Sequence, residues 1–258
     1  MNGTVAIVRD VSDALAECEL SFVERQRIDL GRAREQHAAY VAALGAAGCE
    51  IRHAPPLPAM ADAVFVEDTA IVVDELAVLT RPGAESRRGE VASTAETLRP
   101  LRPLAWIEAP GTIDGGDVLR IGRKVHVGRS ARSNDAGIEQ LRALLAPHGY
   151  SVEGVRTREC LHLKSAVTVV ADDTVLVNPR WLLDDPFEQY RRIEIDPDEE
   201  HAANALRVGD SVLYPDAFPR TAGRLRAAGI DVRLLDLSEL QKAEGATTCC
   251  SVLVAIRD

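Results

Sequence analysis

An α/β propeller of five repeated units, closed by joining its two ends, is the fold this sequence predicts. Three observations predict it. An apolar run, a short polar break and a second apolar run recur along the 258 residues, each time reading as a β-hairpin. Between the hairpins lie segments that read as a helix followed by a strand. The last hairpin lacks its second strand, and the start of the chain supplies one. A hairpin–helix–strand (ββαβ) unit of roughly 40 to 50 residues, repeated about five times, implies a cyclic array around a central cleft.

Taken in order, TVAIVRD (4–10) is the free strand at the start. GRAREQHAAYVAALGAAG (31–48) spaces Ala38, Val41, Ala42 and Leu44 on one helical face and stops at Gly45 and Gly48. The strand CEIRHAP follows. FVEDTAIVVDELAVLT (65–80) is the first complete hairpin, and 86–108 is a weak helix–strand segment. GGDVLRIGRKVHVG (115–128) is the second hairpin, turning at Gly122 to Lys124, with a clear helix and strand over 131–158. LKSAVTVVADDTVLVNP (163–179) turns at Asp172 and Asp173, and 180–195 again continues it weakly. AANALRVGDSVLYP (202–215) turns at Gly209 and Asp210 and leads into the helix and strand of 219–237. TCCSVLVAIRD (248–258) is the half hairpin. No Pro-, Gly- or Ser-rich tract divides the chain, so residues 1–258 read as one domain.

Composition narrows the function. At 46% hydrophobic and 27% charged the chain is an ordinary globular protein. Its net charge of −10 and 4% aromatic content argue against a nucleic-acid partner and are compatible with a small cationic ligand. No apolar stretch reaches membrane length, and the N-terminus does not read as a signal peptide. Five scattered cysteines (18, 49, 160, 249, 250) suit a reducing cytoplasm better than a disulfide framework. No CxxC or HExxH spacing suggests a metal site.

Each hairpin's first strand begins with a polar or reactive residue: Asp68, Asp117, Ser165, Asn204 and Cys249. Equivalent positions of a cyclic array converge on the axis, so these side chains are expected to face one cleft. Cys249 and Cys250 are adjacent. As successive strand residues they would point to opposite faces. Cys250, Val252 and Val254 form the apolar set, which assigns Cys250 to the core and Cys249 to the cleft. By the same alternation, at least one of Glu67 and Asp68 should point inward, and two inward carboxylates would need a cation.

Five stretches, DAVFVEDTA (62–70), TRPGAESRR (80–88), TIDGGDVL (112–119), CLHLKSAV (160–167) and EGATTCCSV (244–252), resemble the penteins, five-bladed α/β propellers that modify guanidines. Within that superfamily the chain closely resembles the dimethylarginine dimethylaminohydrolases. The resemblance implies hydrolysis of Nω-methylated arginine to citrulline and a methylamine, with no cofactor and no metal. The residue types suit that chemistry. A guanidinium carbon is a poor electrophile because its charge is spread over three nitrogens, so attack needs a strong nucleophile and carboxylates that orient the cation.

By resemblance, Cys249 is the nucleophile, His162 protonates the leaving amine and activates water, and Asp114 holds the imidazole. Gly115 and Gly116 would let the backbone approach the ligand. Glu67 and Asp68 would face the guanidinium, and Asp62 and Phe65 would line the same pocket. Arg87 and Arg132 would clamp the substrate carboxylate, although Arg88 could take the place of Arg87. Leu20 matches a lid residue, and Ala243 lies where a backbone carbonyl meets the substrate amine. Glu244 replaces an aspartate common at its position, which leaves its amine contact open. The nearest rival reading is an arginine deiminase acting on unmethylated arginine. A non-catalytic pentein would have no reason to keep Cys249, His162, Asp114 and the Glu67–Asp68 pair together. A monomer or homodimer is expected.

Overall fold

The computed structural model describes residues 3–256. The chain opens with strand β1 (Gly3–Val8), helix α1 (Leu30–Ala46) and strand β2 (Cys49–His53). Next come β3 (Ala70–Val72), β4 (Ala77–Leu79), α2 (Val91–Leu98) and β5 (Leu104–Trp106), then β6 (Val118–Ile121), β7 (Lys124–Arg129), α3 (Asp135–Leu145) and β8 (Ser151–Arg156). A one-turn helix, α4 (Leu163–Ala166), leads into β9 (Val167–Ala171), β10 (Thr174–Val177) and β11 (Arg191–Glu194). The chain ends with β12 (Leu206–Val208), β13 (Ser211–Pro215), α5 (Pro219–Ala227), β14 (Asp231–Leu235), α6 (Ser238–Gln241) and β15 (Val252–Ile256).

These strands form five three-stranded sheets, β3-β4-β5, β6-β7-β8, β9-β10-β11, β12-β13-β14 and β15-β1-β2. In every sheet the first two strands are antiparallel and the third runs parallel to the second. A parallel neighbour needs a crossover, which explains why a helix separates most second and third strands. The fifth sheet is closed by the two ends of the chain, with Val5 opposite Val254. The repeat read from the sequence is therefore the architecture observed. Its weak copies are weak for a local reason. The β10–β11 crossover carries only a 3-10 turn, Pro179–Trp181, in a stretch broken by prolines 179 and 186.

Helix α1 departs from the expected face. Ala33, Gln36, His37, Tyr40 and Leu44 are buried, whereas Ala38 and Ala42 are exposed and Val41 is half-buried. Two polar members of the buried stripe, Gln36 and Tyr40, have partners, which an apolar pattern does not register. The Tyr40 hydroxyl donates to the Thr247 carbonyl and pairs with Ser251 Oγ, and Gln36 Nε2 donates to Ser238 Oγ. By contrast α3 follows the rule, with Ile138, Leu141 and Leu145 buried and Asn134 capping the Gly137 amide. Each of those three side chains contributes about 1.5–3 kcal/mol of burial.

First strands of all five sheets meet at the centre. They line an axial cavity of about 240 Å³ that includes Ile71, Val118, Thr168, Leu206 and Val252. One end of that axis carries the residues singled out from the sequence.

Candidate active site

Just ahead of each first strand the chain makes a short turn. These are Val66–Thr69, Gly115–Asp117 and α4, with further turns at 201–203 and 247–250. Asp68, Asp117, Ser165 and Cys249 lie in these turns and Asn204 directly after one, none of them on strands, which corrects the strand-start reading. It also corrects the alternation argument. In a 3-10 turn successive side chains are about 120° apart, so Glu67 and Asp68 are both buried. Cys250 is nonetheless fully buried in the hydrophobic core while Cys249 lines the cleft, the same assignment reached by a different local geometry.

The cleft is lined by Glu19, Asp62, Phe65, Asp68, Arg87, Asp114, Arg132, Leu161, His162, Ala243, Glu244 and Cys249. Its wall therefore has five carboxylates against two guanidiniums and one imidazole. The open volume is about 20 Å³, room for about one water. Leu20 packs against the core, and its neighbour Glu19 reaches the cleft instead.

His162 Nε2 lies 3.1 Å from Asp114 Oδ2 and 3.9 Å from Asp68 Oδ1. Asp114 is fully buried, and its other oxygen accepts from the Gly83 amide at 2.9 Å. Burial alone would push the imidazole down. The Asp68 charge, the Asp114 hydrogen bond and the Asp117 charge outweigh it, and the ring is raised to about 9. His162 is therefore an imidazolium at neutral pH. The Cys249 thiol is pushed up, first by burial and then by Glu67 and Asp68, so it rests as a neutral thiol. Asp62 is pushed up to about 6 by burial.

The cations required by the two inward carboxylates are supplied by the chain. Glu67 pairs with Lys164 Nζ at 2.6 Å, accepts from Thr248 Oγ1 at 2.7 Å and borders the axial cavity; unlike Asp68 it is not among the residues lining the cleft. Asp68 pairs with Arg87, whose guanidinium also holds Glu90 and the carbonyls of Asp62 and Phe65. Arg87 is thus the inward member of the pair; Arg88 pairs with Glu85 instead. Arg132 is half-buried at the mouth, with Nη2 3.4 Å from Ser21 Oγ.

Asp117 accepts from Ser130 Oγ and Ser133 Oγ at 2.6 Å each and from the Leu163 amide at 2.9 Å, which fixes the turn that carries His162. The glycines serve packing between turns. A Cβ on Gly116 would lie 2.5 Å from His162 Nδ1, and one on Gly115 would lie 2.0 Å from the Glu67 carbonyl oxygen. Lys164, Thr248, Glu90, Ser130 and Ser133 were not singled out from the sequence. Lys164 and Thr248 do lie inside quoted motifs, two residues after His162 and one before Cys249.

Among the described residues one cluster has the composition of a metal site, Asp68, Asp114 and His162, with ligand atoms within 4.8 Å of one another. Arg87 on Asp68 and a protonated imidazole already supply the positive charge there. The donor set fits a hydrogen-bonded network better than a cation.

A five-bladed α/β propeller with a thiol, an imidazolium and clustered carboxylates at one end of its axis defines the pentein class. Comparison with known proteins narrows it. A family model described as arginine deiminase matches residues 55–207. The chain is 44% identical to the N(G),N(G)-dimethylarginine dimethylaminohydrolase of Streptomyces coelicolor over 96% of this chain and 95% of that one. It is 37% identical to the Pseudomonas aeruginosa enzyme of the same name, over 87% and 89% of the two chains. A solved structure of the dimethylarginine dimethylaminohydrolase from Pseudomonas aeruginosa, a mutant complexed with citrulline, superposes with a TM-score of 0.93 at 34% identity, covering 98% of this chain and 99% of that one. The chain belongs to the dimethylarginine dimethylaminohydrolase family.

Proposed function

We propose that this protein is a dimethylargininase, hydrolysing Nω-methylated arginine to citrulline and a methylamine through a covalent adduct on Cys249. The observation that carries the reading is a neutral thiol and a buried imidazolium lining one carboxylate-rich cleft. Relatives support it: one is bound to citrulline and another forms an adduct with S-methyl-L-thiocitrulline.

The cationic guanidinium enters the acidic cleft and makes the thiolate the favoured form, releasing the thiol proton to solvent. Sγ attacks the guanidine carbon. The His162 imidazolium gives its proton to the methylated nitrogen, the C–N bond breaks, and the neutral amine leaves. A thiouronium ester and a neutral imidazole remain. Water then attacks as His162 takes one of its protons. The C–S bond breaks, the thiolate departs, and the second proton from water ends on the amine. Citrulline is neutral and the amine carries the charge the guanidinium brought. Asp68 and Asp114 hold the imidazole in its donating form, and Asp62, Phe65, Arg87, Arg132 and the Ala243 backbone position the amino acid. Glu67 acts on Cys249 through its charge.

A single catalytic domain over residues 1–258, a monomeric or homodimeric state and a cytoplasmic location belong to the same proposal. Five free cysteines support the location. No helix among the described residues is long and apolar enough to cross a membrane.

Release of citrulline and amine is to be measured in parallel from arginine, monomethylarginine and asymmetric dimethylarginine. Turnover of the methylated substrates with equal citrulline and methylamine is the expected result. Turnover of arginine alone would make the protein a deiminase.

A further inference from the structure

Residues 18–29 form an irregular loop over the cleft, tied down in an unusual way. The Glu244 carboxylate accepts hydrogen bonds from three consecutive backbone amides of that loop. Ser21 donates to both oxygens, at 2.9 and 3.1 Å; Val23 donates at 2.8 Å; Phe22 donates between them. Successive amides converging on one carboxylate make an anion nest, here filled by a side chain 221 to 223 residues away. Glu244 has φ of +58°, a left-handed conformation uncommon for a residue with a side chain. Asp62 takes a fourth loop amide, that of Glu19, at 3.1 Å.

Leu20, Cys18 and Ile28 pack against the core, but packing does little to hold residues 21–23. Phe22 remains 52% exposed. Phe22 and Val23 border a cavity of about 310 Å³ walled also by Trp181, Phe218, Pro215 and Cys160. With few apolar contacts made at 21–23, the amide–carboxylate bonds are the principal restraint on those three residues. The cleft under the loop holds about one water, so a substrate the size of arginine enters only when these bonds break.

Building on the reading of the cleft as an arginine-analogue site, we propose that Glu244 is a positioning residue. It is a latch that holds the 19–23 loop closed over the cleft, and it does not serve as the ligand of the substrate's α-ammonium group. Loop opening then gates substrate entry and product release.

The test compares wild type, Glu244→Gln and Glu244→Ala. Hydrogen exchange of the Ser21, Phe22 and Val23 amides is measured in substrate-free enzyme, with the exchange of β7 and β13 as the control for folding. Exchange of the three amides should rise about tenfold or more in both variants, since each loses a charge-assisted acceptor, while the control strands stay protected. Unchanged exchange would overturn the latch. A second arm compares kcat/KM for monomethylarginine with that for its analogue lacking the α-amino group. Loss of a latch changes both by the same factor. A loss confined to the amino-bearing substrate would make Glu244 an ammonium ligand. The exchange arm needs no turnover, so inactivity of the wild type on methylarginines would sink the proposed reaction and leave the latch standing.

Discussion

Replacing Asp114 by asparagine tests the acid–base assignment directly. The substitution keeps an oxygen for the Gly83 amide but puts an NH₂ group opposite His162 Nε2, where a carboxylate oxygen now lies at 3.1 Å. A hydrogen bond to a charged group contributes about 1.5–3 kcal/mol, and 1.36 kcal/mol corresponds to one pKa unit. The imidazole, raised to about 9 in the native protein, should therefore fall to about 7–8. At pH 8 the protonated fraction would drop from about nine-tenths to between one-tenth and one-half, while at pH 6 it would hardly change. The kcat deficit of Asp114→Asn should thus grow with pH, on top of a pH-independent loss of about 10²-fold from misorientation. Stability follows the same linkage. A histidine whose pKa is raised on folding stabilises fully below its unfolded value of about 6.5 and loses that contribution as pH rises through about 9. Taken over all its partners this is on the order of 3 kcal/mol, and the part lost in the variant should show most at pH 6 and fade by pH 10. The assays are kcat against pH, an NMR titration of the His162 ring, and denaturant unfolding at pH 6 and 9. An unchanged basic limb with an unchanged ring pKa would refute the argument that Asp114 tunes this imidazole.

Other consequences are equally open to measurement. Cys249→Ser should abolish turnover, and Cys250→Ser should retain much of it while lowering stability, because Cys250 is fully buried in the core; peptide mapping of a guanidine- or amidine-based inactivator should place the adduct on Cys249, and an adduct on Cys250 would contradict this. Lys164→Met strands the buried Glu67 carboxylate and should destabilise by about 3–5 kcal/mol, with much of the loss recovered in the Lys164→Met/Glu67→Gln double variant; additive losses in a denaturation series would deny the pairing. Activity should survive chelator, and Zn²⁺ should inhibit by engaging Cys249 and His162; activity lost with chelator and restored by a divalent metal would reverse this reading.

Much of the architecture was legible because it is periodic. Four hairpins leave four apolar–break–apolar marks, and the half hairpin at one end finds its complement at the other, as the pairing of Val5 with Val254 bears out. Turns ahead of each first strand were not legible. FVEDT and TTCCS carry no helix signal longer than one turn, and their β-like composition hides a 3-10 or irregular turn. The face of α1 was misread because Gln36, His37 and Tyr40 are buried. Two of these residues owe their place to hydrogen bonds with partners some 200 residues away, and no local pattern encodes such partners.

The candidate site shows the same division, and one pair explains it. Two acidic neighbours in an apolar stretch announce that buried negative charge must be balanced, and that much is a local inference from Glu67 and Asp68. Which cation balances them is a long-range fact: Lys164 lies 97 positions from Glu67, and Arg87 lies 19 from Asp68. With the chain's own cations in place, the substrate guanidinium cannot be simply a missing counterion for this pair. Its attraction to the cleft must come from the remaining carboxylates of the wall. Asp114 is shared with the His162 imidazolium, Asp62 accepts from a loop amide with the Arg87 charge nearby, Glu244 accepts from three loop amides, and Glu19 is bonded to the Ser86 hydroxyl. Asp62 and Glu244 both restrain the loop above the cleft. Opening that loop releases the Glu244 latch and, in the same step, uncovers Asp62 for an incoming cation, so access and charge selection are coupled through one loop.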